Sequence, residues 1–191
     1  MNKPNNYDNT RVSSVERVTL GGHYAKIMEV IEMKSRSGKQ MIKVSIDFDQ
    51  KDAQADYFAK LYKSFPDDKK TWPYQAVHYI MVEDAEGNTN RSFKSFINSY
   101  EASNDIAIKW GSDFGKQFKG KLIGVVYGEE EDDYSGQVQL RTRIRFFCDY
   151  HRVEDEAVPE VKRLKGRAAA PVPSLEEAFM TIPDGDELPF N

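Results

Sequence analysis

A single cysteine, Cys148, stands in 191 residues. A lone thiol excludes an internal disulfide framework and fits a reducing cytoplasm. It has no CxxC partner, and the three histidines, His23, His78 and His151, show no HxH or HExxH spacing. Both facts argue against a zinc site. No run of about 18 apolar residues occurs, so no membrane-spanning helix is expected. The opening MNKPNNYDNTR has no apolar stretch of the kind a signal peptide needs. Neither a GxSxG elbow nor a GxxxxGK[ST] phosphate loop is present. The residues therefore suggest no catalytic constellation and no cofactor, and the expected location is the cytoplasm. Carboxylates are plentiful, so a metal-dependent nuclease stands as a third reading behind two non-enzymatic ones.

An excess of basic charge is also missing, since the net charge is −4. Its distribution matters more than its sum. Residues 171–191 hold Glu176, Glu177, Asp184, Asp186 and Glu187 and no Lys or Arg, so the first 170 residues carry +1. Lys162, Arg163, Lys165 and Arg167 stand just before that acidic end. A near-neutral body with local basic faces differs from a uniformly acidic protein in what it can bind.

Alternating stretches are abundant. Lys121 to Phe147 reads as a β-hairpin: an apolar run, Leu122 to Tyr127, an acidic loop around Glu129 to Asp133 with Ser135-Gly136, then strict alternation. Alternation places Val138, Leu140, Thr142, Ile144 and Phe146 on one face and Gln139, Arg141, Arg143, Arg145 and Phe147 on the other. His23 to Met33 and Gln40 to Asp49 predict a first hairpin around the basic turn SRSGK, with Ile42, Val44, Ile46 and Phe48 inward and Lys43 outward. Gly21-Gly22 reads as a turn or bulge. Lys51 to Phe65 reads as an irregular insertion with some helix, and a third strand is expected after Pro73 within Trp72 to Glu83. Phe93, Phe96, Ile97 and Tyr100 recur at helical spacing, which predicts a helix over 92–103 with Ser92 as N-cap. Residues 104–119 read as a loop.

The resulting order is β-β-β-α-β-β. This is the order of an OB-fold, a five-stranded antiparallel barrel with a helix between the third and fourth strands. A different small barrel or sandwich with one helix is the alternative. The domain is expected over 21–155, with an N-terminal arm over 1–20. Residues 156–191 read as a linker and acidic tail, disordered from about 166.

Two features point to nucleic acid. Three guanidiniums about 6.6–7 Å apart along one strand approach the phosphate repeat of an extended single strand. The competing reading is a solvated face on which Arg141, Arg143 and Arg145 pair with Glu129, Glu130 or Glu131. Rings near basic residues are the second feature: Trp72, Tyr74 and Tyr79 with Lys39 and Lys43, and Trp110 beside Lys109. Nonspecific single-strand binders stack bases on such rings. With ten Tyr and eleven Phe in the chain, most rings must be core. The C-terminal tip, Asp184, Asp186, Glu187, Leu188, Pro189 and Phe190, joins acid to apolar anchors that a basic-rimmed pocket on a partner could capture.

The tip DELPF, GKLIGVVYGEEE followed by RTRIRFF, and LGGHYAKIMEV, WPYQAVHYI, SFKSFINSYEASN and PEVKRL resemble single-stranded DNA-binding proteins encoded by phages and prophages of Gram-positive bacteria. The resemblance spans most of residues 18–165 and the last residues. It implies an OB-fold, binding of single-stranded DNA in replication, recombination or repair, and recruitment of replication and recombination proteins through the tip. It leaves a homo-oligomer open. One departure is Asn191 after Phe190, since the tip of the bacterial proteins ends on the Phe carboxylate; another is Gly185 within the acidic run. The rival function is a protein-interaction adaptor acting on host replication or repair proteins.

Overall fold

Alternation in the first two stretches produces one long strand and its hairpin partner. In a computed structural model that describes residues 16–66 and 70–164, β1 spans Gly21–Lys34 and β2 spans Gln40–Phe48. They pair antiparallel around the turn at Gly38, whose φ of 79° suits a residue without Cβ. The early part of β1, Gly21 to Lys26, also pairs with β4, Leu122–Tyr134, and a register shift between Ile27 and Glu29 bends the strand where it leaves β4 behind. β3, Val77–Met81, lies outside β2, and β5, Gln137–Cys148, lies outside β4.

The five strands make a single antiparallel sheet in the order β3-β2-β1-β4-β5. β3 and β5 are its two ends and are not hydrogen-bonded to each other, so the expected barrel is not closed by backbone bonds. Side chains meet across the gap instead. The Tyr127 hydroxyl donates to the Gln75 carbonyl at 2.8 Å, and the His78 ring meets Phe147 edge-on at 5.7 Å.

Ile42, Val44, Ile46 and Phe48 are fully buried on the inner face of β2, as their alternation predicts. Ile27, Ile123, Val125 and Tyr127 join them from β1 and β4. The helix α2, Arg91–Asn104, buries Phe93, Phe96, Ile97 and Tyr100 against this face. Burial of residues this large contributes about 1.5–3 kcal/mol each. The cap is Asn90 rather than Ser92: its side chain accepts from the Ser92 N–H at 2.9 Å. Phe114 and Phe118, on a 3-10 turn in the stretch read as loop, complete the plug.

A short helix α1, Tyr57–Ser64, fills the insertion. Its first N–H groups bond across the fold to β2, where the Asp47 carboxylate accepts from Phe58 N at 2.9 Å and Ala59 N at 3.2 Å. Outward-pointing Asp47 is therefore covered, and only the end of β2 nearest the Gly38 turn keeps an open outer face. On the sheet's back, Tyr24, Val126, Cys148, Tyr150 and Val153 form a second small cluster. Gly124 makes room for it, since a Cβ there would meet Cys148 Sγ at 2.5 Å and Val153 Cγ2 at 2.7 Å.

Two expectations for the last hairpin are corrected. The acidic run is not a loop: β4 continues through it to Tyr134, and the turn is only Ser135-Gly136, both with positive φ as a two-residue hairpin turn requires. The alternation of β5 is also not strict. A register shift opposite Val126/Tyr127 leaves Arg145 out of the ladder, so Phe147 points inward with Ile144 while Phe146 is exposed. Val138 and Leu140, on the apolar face of the alternation, are exposed because the hairpin runs past the core.

Candidate nucleic-acid interface

Period-two geometry fixes the outer face of the sheet. Ile31, Lys43 and Tyr79 stand in one cross-strand row, and Met33, Met41 and Met81 form the next. Tyr79 is 54% exposed, and Ile31 and Met33 are also open to solvent. The basic turn closes one end of this face. Ser35 N bonds Lys39 O at 2.8 Å, and Lys34, Arg36 and Lys39 all project into solvent. Lys39 Nζ donates to the Asp84 carbonyl at 3.2 Å. Among the described residues no carboxylate is paired with Lys34, Arg36, Lys39 or Lys43.

The arginine row has different company. Arg141 Nε lies 3.0 Å and Arg143 NH2 lies 3.3 Å from the same Asp132 oxygen. Arg145, displaced by the bulge, donates from NH1 to the carbonyls of Glu129 and Glu160 at 3.0 and 2.9 Å. Glu130 and Glu131 are held instead by Lys162 at 2.8 Å and Arg163 at 3.1 Å. The backbone explains that choice. Beyond Tyr127 the β1 side of β4 is a free edge, and Lys162 pairs there through Glu131 N to Lys162 O and Lys162 N to Glu129 O. The sequence carries this strap only as the basic run Lys162-Arg163, with nothing local to say which strand it covers.

The aromatic candidates separate into different places. Tyr79 lies on the outer face beside Lys43. Tyr74, 54% exposed, sits at the open seam with the Arg143 guanidinium 5.3 Å from its ring. Trp72 is half-buried against Tyr62, and its indole N–H donates to the Ile46 carbonyl at 3.1 Å, so its polar edge is occupied. Trp110 is 67% exposed but stacks on Phe114 at 5.4 Å, beside Glu32 and Ile42, on the inward side of the first hairpin. Lys109 is next to it, its N–H and carbonyl both bonded to Gln117. Tyr134, which the sequence reading passed over, is 65% exposed at the second hairpin's turn with Arg141 5.9 Å from its ring. Its position two residues before the Gly136 turn was the available signal.

His78 is the titratable group most altered at the seam. Burial lowers it to about 4, only partly opposed by the nearby charge of Glu130. Burial likewise pushes the Cys148 thiol up to about 12, so it is not a thiolate at neutral pH. Among the described residues no group of three His, Cys, Asp or Glu side chains could hold a metal ion, and no helix is long and apolar enough to cross a membrane. The tip residues Asp184, Asp186, Glu187, Leu188, Pro189 and Phe190 lie outside the described residues. No family model and no curated protein matches this chain.

Proposed function

We propose that the chain is a non-enzymatic single-stranded DNA-binding protein built on a partly open OB-type barrel. The observation that carries this is the Ile31–Lys43–Tyr79 row: an exposed ring and a lysine without an acidic partner, side by side on the outer face of β2 and β3. OB barrels bind oligonucleotides on the face of strands two and three and on the loops that join strands one to two and four to five. Here Arg36 and Lys39 lie in the first of these turns with Lys34 at the strand end leading into it, and Tyr134 ends the strand leading into the second. Bases stack on Tyr79, and phosphates meet Lys43 and the basic turn; neither contact reads base identity. Arg141 and Arg143 reach a phosphate only by leaving Asp132, which makes them a secondary contact. The resemblance implies phage replication or recombination as the process, with partners recruited through residues 184–190.

An anisotropy titration with labelled oligo-dT at about 50 and 200 mM salt tests the reading. Binding that weakens steeply with salt is expected. Absence of binding at the lower salt overturns it. Removing residues 184–191 leaves oligo-dT binding intact and abolishes capture of replication proteins, whereas an adaptor loses capture and never binds the oligonucleotide.

A further inference from the structure

The gap between β3 and β5 is not filled solidly. It holds a pocket of about 210 Å³ lined by His78, Arg91, Ser92, Ser95, Arg145 and Phe146. No carboxylate lines it. Arg91 is exposed and is paired with no acidic group among the described residues. Arg145 is fixed by the Glu129 and Glu160 carbonyls through NH1, which leaves Nε and NH2 of its fork free of those bonds. Phe146 as a residue is 38% exposed, on the outward side of the bulge at Arg145. The N–H of Ser92 is already bonded to Asn90, so the pocket's attraction for an anion rests on the guanidiniums and not on the helix end.

We infer that this pocket seats one phosphate group of the bound strand between Arg91 and Arg145, with the attached nucleoside's base laid on Phe146 at the rim. The inference rests on the single-strand reading above and extends it from the outer face of β2–β3 to the open seam. Size decides what the pocket takes. Sites for whole small ligands run from about 300 Å³ upward, so this one holds a phosphate and part of a sugar, not a free nucleotide cofactor. Planar guanidinium forks match phosphate oxygens in pairs. Glu130, the acidic group with most influence on His78, is itself held by Lys162.

The test compares wild-type chain, Arg91→Ala and Phe146→Ala, each titrated with oligo-dT bearing either a 5′-hydroxyl or a 5′-phosphate. Arg91 is chosen over Arg145 because Arg145 also ties down two carbonyls. Thermal melts confirm that both variants fold. The expected result is a loss of about five-fold for Phe146→Ala, the low end for a base on a ring, and a salt slope lower by about one for Arg91→Ala. Equal losses with both oligonucleotides support the seat and assign it an internal phosphodiester. Losses confined to the 5′-phosphorylated oligonucleotide support the seat and assign it the strand end. Wild-type affinity in both variants overturns the seat while leaving the single-strand reading intact. Failure of the wild-type chain to bind either oligonucleotide overturns both.

Discussion

The two hairpins, β1–β2 and β4–β5, leave the core in the same way and end with opposite surfaces. Each runs several residues past the buried sheet, and each exposes apolar side chains there, Ile31 and Met33 on one, Val138 and Leu140 on the other. On β4–β5 the charges that share the arginine face are answered, Arg141 and Arg143 by Asp132 and Glu130 by Lys162, and on the opposite face Glu131 is held by Arg163. On β1–β2 the cations Lys34, Arg36 and Lys43 face solvent without ion pairs among the described residues. The hairpin richer in charge therefore has less charge to offer a ligand. A ligand must displace Asp132 before it meets the arginines, whereas it meets Lys43 and Tyr79 directly.

The hairpins also differ in how they are anchored, and this difference yields the largest expected effect. β1 is tied at its base by Asp52, whose carboxylate accepts from Tyr24 N at 2.9 Å, Gln54 N at 2.8 Å and faces His23 Nδ1 at 3.1 Å. Asp52→Ala strands these buried partners and should cost about 3–5 kcal/mol in urea unfolding. Asp132→Ala, on the partly exposed pairs of β4–β5, should cost under about 1 kcal/mol. Similar costs would erase the contrast. Burial alone would raise the Asp52 carboxyl, but the bonds from His23, Gln54 and Tyr24 outweigh it and its pKa is lowered. The folded state therefore holds this proton less well than the unfolded chain. The Asp52 contribution is present above about pH 4 and is lost as pH falls below that.

At the seam the sign of the acid response has a different origin. Burial holds His78 at about 4 against about 6.5 in an unfolded chain. Between those values the unfolded chain binds the proton and the folded one does not, so stability falls as pH drops from about 6.5 to about 4. The complete loss is up to about 3 kcal/mol. Thermal melts at about pH 7 and pH 4.5 measure it, and His78→Gln should remove most of the difference that Asp52 does not explain. An unchanged pH profile in His78→Gln would show that the seam is wetter than its burial indicates.

Element type and inward residues were legible wherever one period ran unbroken. The inner row Ile42, Val44, Ile46 and Phe48 and the helix row Phe93, Phe96, Ile97 and Tyr100 are buried as spaced. Legibility failed where a non-local event reset the pattern. The bulge at Arg145 exchanges Phe146 and Phe147 between faces, and no local residue announces it. The acidic run of β4 reads as a loop because its partners, Lys162 and Arg163, arrive from 32 residues downstream. The residues of the candidate site were visible as types, but their grouping was not. Lys43 and Tyr79 come together through pairing of β2 with β3, while Trp110 is turned to the other side by its stack on Phe114.

The difference in available charge has its own tests. Tyr79→Ala should weaken oligo-dT binding by about 5- to 100-fold, the range for one stacked base, and Lys43→Ala should lower the salt slope by about one. Neither side chain is core, so melting temperatures should hold. Equal losses from Arg141→Ala and Tyr79→Ala would mean that the two hairpins contribute alike.

The smallest effect separates the two surfaces most directly. Asp132→Asn keeps the shape and size of the side chain and removes the charge shared by Arg141 and Arg143. Exposed pairs of this kind are worth about 0–1 kcal/mol, so affinity for oligo-dT should rise by about two- to five-fold at low salt. The gain should shrink toward nothing as salt screens the freed guanidiniums. It should also vanish when Arg141 and Arg143 are both replaced by Gln. An Asp132→Asn chain that binds no better than wild type at low salt would mean that the strand never reaches this face, and binding would then belong to β1–β2, β3 and the seam alone.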